Sequence, residues 1–408
     1  MNELRDKYCI VGIGETAYTR RSTRSTRALA VDAVKNAMTD AGLHAADIDG
    51  LLSYQYNDSA SPVEVAHDLG IRPEFSLDTI GGGASTEALV GLACAVIEAG
   101  LCKTVAIFRS MNGYSGVRMS GTPTLDGAAA TVVTGSDLRT VPYGLVSAAH
   151  QFQFTFARHM YEFGTTSEQL ANVKVIQSRH ASNNPKALYQ SRVTVDDVLS
   201  SRWIAKPACH LLDCCVETDG ASCIIVSSAE RARDLKRIPV YILAAAGRVN
   251  SPFPADHHQY TPITRTAGAD AARSVFSQAG VGPTDVQLTA AYDCFTFPPV
   301  LQFEAYGFCD VGEGGAYVTS GAIELSGSRP NNTGGGQLCE GYTNGMNSVI
   351  ELVRQLRHQA DDFCPGWESG DHSYDYGEGK CRQVKLAEVA MSTGWGVPSL
   401  ASALVLRR

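Results

Sequence analysis

The feature that most constrains the fold of this 408-residue chain is an internal repeat at an offset of 238 positions. The two copies are Ala33-x3-Ala37-x3-Ala41-Gly42-x4-Asp47 and Ala271-x3-Val275-x3-Ala279-Gly280-x4-Asp285. In the same register, Tyr54 corresponds to Tyr292. Both copies contain the same series in register: a helix pattern, an Ala-Gly end, an aspartate and a strand. Such a series indicates duplication rather than chance. We therefore predict two similar domains, 1–239 and 240–408.

The hydrophobic pattern predicts strands and helices that alternate. Residues 28–41 have the apolar spacing of an amphipathic helix, and Gly42 ends it because glycine adopts the left-handed conformation at least cost. The other predicted elements are strands at 8–13, 48–54, 104–108 and 240–247 and a helix at 85–99. This order predicts an α/β fold with a mainly parallel sheet covered by helices.

A long insertion, roughly 110–210, lies in the first domain. Residues 112–137 are rich in Gly, Ser and Thr, and we expect a loop over a pocket there. Thr166 and Gln169 form a T-x-x-Q capping box, which predicts the start of a helix. Asn183-Asn184-Pro185 predicts its end, because a residue before proline disfavours helix.

Composition and charge exclude several classes of function. The net charge is −8 and no basic run is present, so we expect no nucleic-acid partner. No stretch approaches the about 20 apolar residues that cross a bilayer, so we expect no membrane partner. The sequence has 12 cysteines but no paired C-x-x-C set, which argues against zinc. We expect the thiols to be reduced and buried, which fits a reducing cytoplasm. The predicted strand at Tyr8 leaves no room for a signal peptide, which also fits a cytoplasmic protein.

Several short motifs occur together in an order typical of one family. They are His159-Met160 with Gly164-Thr165-Thr166, Asn184-Pro185, Leu211-Leu212-Asp213-Cys214, Thr218-Asp219-Gly220-Ala221, Tyr292-Asp293-Cys294-Phe295, Asn332-Thr333-Gly334-Gly335-Gly336 and Gly341-Tyr342. With them the chain resembles the thiolase superfamily, and within it the sterol-carrier-type thiolases and the lipid-transfer-protein-like steroid aldolases of bacteria. The resemblance implies a thiolase fold, in which duplicated βαβαβ halves form a five-layer αβαβα sandwich.

The resemblance also shows where this chain departs from a thiolase. It places the catalytic cysteine at about Gly81, yet residues 78–86 contain no cysteine. The late glycine-rich loop, 393–397, has none either. Tyr292 stands at the histidine of the His-Asp-Cys-Phe motif, and Tyr342 at the histidine of the Gly-His-Pro motif. The steroid aldolases of this family share that tyrosine pattern, which implies the same chemistry here.

Without a thiolate there is no acyl-enzyme, but a pocket that stabilises a thioester enolate suffices for retro-aldol cleavage. We assign Tyr292 as the base and Tyr342 as the donor or acid at the enolate, and the reverse assignment stays open. The other candidates, taken as substrate-binding residues, are Gly81, Gly82, Cys294, Cys339, Trp395 and Gly396. For Cys294 the alternative to substrate binding is a packing role, and for Trp395 it is burial in the core. We expect Asp293 to be structural and to hold the loop after its strand.

The predicted function is retro-aldol cleavage of a 17-hydroxy steroid β-hydroxyacyl-CoA to a 17-ketosteroid and propionyl-CoA. The alternatives are an acyl-CoA or sterol carrier without chemistry, and a thiolase with a displaced cysteine. We expect no cofactor, since CoA is part of the substrate. The resemblance implies a homodimer that also binds an OB-fold and zinc-ribbon partner. Residues 111–150 offer only Arg118 and Arg139 for the CoA phosphates, so a second subunit could supply the missing contacts.

Overall fold

The computed structural model describes residues 4–116, 141–145, 147–249, 262–362, 373–385, 387–396 and 399–408. The strands of the first half are β1 (Tyr8–Glu15), β2 (Gly50–Gln55), β3 (Phe75–Ile80), β4 (Thr104–Asn112), β5 (Trp203–Ala205), β6 (Cys209–His210) and β7 (Asp219–Ser228). Those of the second half are β8 (Val240–Val249), β9 (Leu288–Ala291), β10 (Val389–Trp395) and β11 (Leu400–Arg407).

The helices also follow the two halves. The first half contains α1 (Thr26–Ala41), α2 (Pro62–Leu69), α3 (Thr86–Glu98), α4 (Ala148–Phe163), α5 (Ser167–Ser182), α6 (Val195–Ser200) and α7 (Ala229–Ala232). The second contains α8 (Gly268–Ala279), α9 (Phe297–Ala305), α10 (Gly314–Thr319), α11 (Gly336–Cys339) and α12 (Met346–Leu356).

The large sheet has the strand order β3-β2-β4-β7-β1-β8-β11-β10-β9. Within the first half, β7 runs against its neighbours β4 and β1, and within the second half β11 runs against β8 and β10. The remaining strands of each half of this sheet share one direction, and β5 and β6 form a separate antiparallel pair. Most neighbouring strands of the large sheet are nevertheless antiparallel, so the prediction of a mainly parallel sheet is wrong, because a reversed strand is inserted in each half and the two halves join antiparallel. The two halves join where β1 and β8 pair antiparallel through Cys9–Tyr241 and Ile10–Val240. The result is one mixed sheet with the same reversed strand in both halves.

Hydrophobic clusters define the layers around this sheet. Helix α1 packs on one face of the first half's strands, and α8 packs on the second half's strands. Helices α3 and α12 share a cluster with strands of both halves. Burial of apolar faces between helices and sheets is what stabilises such layers. With the two halves of the sheet taken as separate layers, the order helix, half-sheet, helices, half-sheet, helix is the predicted five-layer αβαβα arrangement.

The duplication extends to single hydrogen bonds. Gly42 and Gly280 end α1 and α8 with φ of +73° and +65°. Five residues later, Asp47 accepts from the backbone N–H of His44 at 2.9 Å, and Asp285 accepts from Gly282 at 2.7 Å. The repeat in the sequence therefore encodes the same turn twice. The domain boundary at 239/240 stays a prediction.

Local predictions agree with the structure where the pattern is strong. Thr166 accepts from the N–H of Gln169 at 3.3 Å, and Gln169 accepts from Thr166 at 3.0 Å, so the capping box at α5 is confirmed. Helix α2 and strand β3 were not predicted, because α2 is short and β3 is an edge strand with mostly exposed residues. Residues 117–140, with Arg118 and Arg139, and Val397 lie outside the described residues.

Over the described residues, no helix has both the length and the apolar character that a bilayer crossing requires. The same part of the chain contains no group of three or more His, Cys, Asp or Glu side chains placed to hold a metal ion.

Candidate active site

The two predicted tyrosines meet in the interior. Tyr292 directly follows β9, and its backbone N–H donates to the carbonyl of Thr393 in β10 at 2.9 Å. Tyr342 lies in the loop between α11 and α12, where its backbone N–H donates to Thr218 at 3.0 Å. Their hydroxyl oxygens are 2.7 Å apart, and both side chains are buried. The fold thus brings two phenols within hydrogen-bond distance.

A polar chain leads away from this tyrosine pair. The side-chain amide of Asn344 donates to the hydroxyl of Tyr342 at 3.0 Å and lies 3.5 Å from that of Tyr292. Its oxygen accepts from Nε of Arg109 at 2.9 Å. Arg109 also donates to Asp58 at 2.7 Å. A guanidinium that is fully buried is therefore linked through one amide to the tyrosines.

The glycine-rich stretch before α3 lies against the same pair, with Gly83 in the closest position. A Cβ on Gly83 would come within 2.2 Å of the Tyr292 ring, whereas one on Gly81 would meet only Ser85. A Cβ on Gly82 would lie 3.1 Å from the ring of Tyr56 and 3.8 Å from the amide of Asn344. Of the two predicted glycines, Gly82 borders the polar chain, whereas a Cβ on Gly81 would reach only Ser85. Gly83 is the residue that the sequence reasoning missed.

The candidate cysteines pack in the same cluster as the tyrosines. Burial raises the pKa of the Cys294 thiol well above its ordinary value, and the nearby carboxylate of Asp293 raises it further. Burial also raises the pKa of Cys339, although the neighbouring Lys174 opposes this shift. A nucleophilic cysteine needs the opposite, a lowered pKa. Both thiols are therefore poorly suited to attack a thioester.

Asp293 has a structural role, as expected, but the segment that its side chain holds is the start of α11 and not the loop after β9. Its carboxylate accepts from the backbone N–H of Gln337 at 3.1 Å and of Leu338 at 3.2 Å. Burial raises its pKa to about 6 despite these hydrogen bonds. Asp293 therefore fixes the start of α11 beside the strand that carries Tyr292.

Trp395 and Gly396 close the site on the side of β10. The backbone N–H of Trp395 donates to the carbonyl of Gly83 at 2.9 Å, so the late loop is fastened to the stretch before α3. The indole ring meets Phe152 edge-on, with 5.0 Å between centroids. A Cβ on Gly396 would lie 3.5 Å from Ala84. Trp395 is buried in the cluster that contains the tyrosines, so it serves both as core and as a side of the site.

The electrostatics of the two tyrosines differ. Burial is the main cause that raises the pKa of each phenol well above 10. For Tyr292 the charge of an ionised Tyr342 raises the pKa further, and the hydrogen bond from Asn344 opposes the shift. For Tyr342 the charges of Cys215 and Cys294 raise the pKa further, and the hydrogen bond from Tyr292 and the charge of Arg109 oppose the shift. At rest both phenols are therefore neutral.

Sequence reasoning did not identify Arg109, Asp58 or Asn344. Two signals were available. Arg109 is a charged residue within an otherwise buried strand, and such a residue needs a buried partner. Asn344 follows Tyr342 by two residues and precedes Gly345, in a Tyr-Thr-Asn-Gly turn.

A duplicated five-layer fold and a buried tyrosine pair, with no cysteine in residues 78–86, define a thiolase-fold protein that lacks the thiolase nucleophile. The family described as thiolase C-terminal domain-like matches residues 254–365. The structure of the human mitochondrial 3-ketoacyl-CoA thiolase superimposes with a TM-score of 0.65 over 99% of each chain at 12% identity, which shows the fold alone.

More similar relatives narrow the group. The 17-hydroxy-3-oxo-4-pregnene-20-carboxyl-CoA lyase of Mycobacterium tuberculosis is 40% identical over 87% of this chain and 92% of its own length. The steroid side-chain-cleaving aldolase of Thermomonospora curvata is 36% identical over 88% and 92%. A solved structure of the Ltp2-ChsH2(DUF35) aldolase has a TM-score of 0.85 at 34% identity, over 99% of this chain and 98% of that one. The chain belongs to the thiolase superfamily and, within it, to the steroid side-chain aldolases.

Proposed function

We propose that this protein cleaves the side chain of a 17-hydroxy steroid acyl-CoA by a retro-aldol reaction, giving a 17-ketosteroid and propionyl-CoA. The observation that carries the proposal is the 2.7 Å contact between the hydroxyls of Tyr292 and Tyr342. The names of the two relatives, a steroid carboxyl-CoA lyase and a steroid side-chain-cleaving aldolase, support the substrate class.

The tyrosine pair suits the proton balance of this reaction. The β-hydroxyl loses its proton, the bond between the α and β carbons breaks, and a ketone forms. The electron pair of that bond remains on the α carbon of the thioester, which takes up one proton. In a pair of hydrogen-bonded neutral phenols, one hydroxyl can accept a proton while the other releases one. Both phenols are then neutral again after the reaction. Protons and electrons balance within substrate and tyrosines, which is why we propose that no cofactor takes part.

The two alternative hypotheses, an acyl-CoA or sterol carrier and a thiolase with a displaced cysteine, predict different features of the site. A carrier has no use for two buried phenols that touch, since their desolvation costs free energy without a return in binding. A thiolase needs a thiolate, and the raised pKa values of Cys294 and Cys339 disfavour one. Both observations support the aldolase.

The test is to incubate the purified protein with a 17-hydroxy steroid side-chain acyl-CoA and to follow products by liquid chromatography and mass spectrometry. We expect the 17-ketosteroid and propionyl-CoA in equal amounts, with one deuterium on the α carbon of propionyl-CoA in heavy water. The matched control is the same thioester without the 17-hydroxyl group, which should stay intact. Binding without products would favour the carrier, and cleavage that requires free CoA would favour the thiolase.

The proposal includes a homodimer and a partner subunit. Strand β3 is at the edge of the sheet, and in the described part of the chain its outer side has no strand partner. Ile80 on this strand is 86% exposed, which is unusual for isoleucine and suits an interface. The name of the Ltp2-ChsH2(DUF35) aldolase joins two components. It supports a partner subunit for this chain, and the OB-fold and zinc-ribbon kind is the one that the family resemblance implies.

A cytoplasmic location completes the proposal. The Sγ atoms of Cys209 and Cys214 are 3.6 Å apart, beyond the about 2.05 Å of a disulfide bond. Free thiols this close to each other persist in a reducing compartment.

A further inference from the structure

We propose that the indole N–H of Trp395 donates to the thioester oxygen of the substrate and stabilises the negative charge that this oxygen gains when the carbon–carbon bond breaks. The inference rests on the proposed function and deepens it, because it adds a catalytic residue to the tyrosine pair. Sequence reasoning took Trp395 only as a substrate-binding residue or as part of the core.

The proposed reaction leaves one oxygen of the substrate without a donor. One phenol takes the proton of the β-hydroxyl and the other supplies the proton for the α carbon, so both tyrosine hydroxyls are used at these two atoms. The electron pair of the broken bond is shared by the α carbon and the thioester oxygen of the enolate. A donor aimed at such an oxygen is typically worth about 10²–10³ in rate. The site therefore needs a third donor at the thioester oxygen.

Trp395 has a donor without an acceptor. Its side chain is 1% exposed, and its Nε1 atom has no hydrogen-bond partner among the described residues. Within the described cluster of buried residues that contains Trp395, the other side-chain nitrogen or oxygen atoms are the hydroxyls of Tyr292 and Tyr342, which bind each other. A buried donor that lacks an acceptor destabilises a folded protein, so its presence requires an explanation. An acceptor on the substrate provides one.

The backbone places Trp395 beside the hydroxyl-bearing end of Tyr292. Strands β9 and β10 run parallel, with Ala291 paired to Thr393, so Tyr292 and Trp395 lie at the same edge of the sheet. A Cβ on Gly83 would lie 2.2 Å from Cζ of Tyr292, the atom that carries the hydroxyl, and 2.4 Å from the carbonyl oxygen of Trp395. The indole is therefore attached next to the phenols that transfer the protons.

The rings around the indole indicate how a substrate oxygen reaches it. Phe297 meets the indole edge-on, with 6.3 Å between centroids, and is fully buried in α9. Phe152 on α4 also meets it edge-on, at 5.0 Å, but is only half-buried. Of these two rings, Phe152 is the one that can move aside. We expect the thioester to enter between α4 and β10, where apolar rings surround one donor, as is usual in ligand sites.

The first test is Trp395→Phe, which keeps an aromatic ring and removes the donor. We expect kcat to fall about a hundredfold, the range for loss of one donor to a developing oxyanion, while KM rises no more than about fivefold. The matched control is Trp203→Phe, at a side chain on β5 that is 42% exposed. That variant should keep the rate of the unaltered protein. Circular dichroism checks that both variants are folded.

A second replacement separates the lost donor from the lost volume, because phenylalanine is smaller than tryptophan. Benzothienylalanine at position 395, introduced through an expanded genetic code, has sulfur in place of the indole N–H and almost the same shape. It should fill the same space and still lower kcat about a hundredfold. A near-normal kcat in this protein would overturn the proposal, whatever the effect of Trp395→Phe on folding.

A binding measurement separates this inference from the proposed function. The ligands are a 17-deoxy steroid acyl-CoA, which lacks the hydroxyl that cleavage requires, and its thioether analogue, in which a methylene group replaces the thioester carbonyl. By calorimetry the unaltered protein should bind the thioester about fivefold more tightly, the effect of one hydrogen bond, and both replacements at position 395 should abolish this preference. If the unaltered protein cleaves no steroid thioester but the preference is lost on replacement, the function fails and the donor role stands. A preference that survives replacement, or equal binding of both ligands by the unaltered protein, would overturn the donor role.

Discussion

The hydroxyl oxygen of Tyr292 lies 2.7 Å from that of Tyr342, although the residues are 50 positions apart in the sequence. The end of β9 supplies the first tyrosine and the loop before α12 supplies the second. Because both phenols are buried and neutral, each depends on the other as a hydrogen-bond partner. The pair therefore acts as one unit in the proposed proton transfer.

Tyr292→Phe and Tyr342→Phe should each reduce turnover at least about a hundredfold, since each removes a group that carries a proton. The double variant should be little worse than either single one, as for residues that act as a unit. Steady-state rates and circular dichroism measure effect and fold. Tyr161→Phe, at a side chain that is 80% exposed, is the control. A normal rate in Tyr292→Phe or Tyr342→Phe would remove that tyrosine from the mechanism.

The sequence predicted much of the site because motif positions are local. Tyr292 and Tyr342 stand in short motifs, and their neighbours in the chain identify them. The contact of Arg109 with Asn344 spans 235 positions, and no local pattern records it. The glycine that contacts the Tyr292 ring could not be identified from a local motif either. The motif comparison favoured Gly81, but only the packing of the Tyr292 ring distinguishes Gly83.

The fold was predicted for a related physical reason. Apolar periodicity records which face of an element is buried, so β1, α1, β2, α3 and β4 could be found from the sequence. Strand β3 has few buried residues and leaves no such signal. The order of strands in the sheet was not predicted, because periodicity records burial and not which strands pair.

No covalent acyl-enzyme should form when the protein is mixed with an acyl-CoA. The thiols of Cys294 and Cys339 are buried with raised pKa values, so the thiolate needed for attack is scarce. Intact-protein mass spectrometry before and after mixing measures this. The variants Cys294→Ser and Cys339→Ser should both retain turnover within about threefold, because neither thiol takes part in the proposed reaction. A stable acyl adduct on either cysteine would revive the thiolase reading.

Gly83→Ala should disable the site by displacing Tyr292. The added Cβ would be 2.2 Å from the ring and 2.4 Å from the carbonyl of Trp395, closer than van der Waals contact permits. We expect a loss of turnover of at least about tenfold and a lower melting temperature, as overpacking of a core costs roughly 1–3 kcal/mol. Gly282→Ala is the control, because its Cβ would meet nothing nearer than 3.8 Å. Unchanged activity in Gly83→Ala would show that this packing does not hold Tyr292.

Glu340 should make the stability of the protein depend on pH. Burial, and then the charges of Glu15 and Glu351, raise its pKa from 4.5 to about 8. The folded protein therefore keeps a proton that the unfolded chain loses above 4.5. The stability that this proton contributes is complete below the unfolded pKa and is lost as pH rises through about 8.

Glu340→Gln should remove that dependence. Between pH 5 and 8 the unfolding free energy of the unaltered protein should fall more steeply with pH than that of the variant, by up to about 1.4 kcal/mol per pH unit. Chemical denaturation at several pH values measures both slopes. Asp293 titrates in this range as well but is present in both proteins, so it cancels in the comparison. Equal slopes would show that Glu340 does not hold the proton.

Exposed apolar side chains on β3 predict an interface between two copies of the chain. Leu77 is 37% exposed and Ile80 is 86% exposed on an edge strand whose backbone can pair with another strand. A two-fold axis beside β3 would bury both and pair the two edges, which is the commonest symmetry for homo-oligomers. We expect light scattering to give twice the 43.5 kDa mass of one chain.

Ile80→Lys should convert this dimer to a monomer, because it places a charge on the apolar edge that a second copy would cover. The control is Val311→Lys in the loop between α9 and α10, at a side chain that is 70% exposed and does not belong to the sheet. Light scattering over a range of concentrations distinguishes a weakened dimer from a lost one. A variant that stays dimeric would place the interface elsewhere. The role of a partner subunit is tested separately, by measuring activity with and without an OB-fold and zinc-ribbon subunit. Full activity of the chain alone would show that the partner is not required.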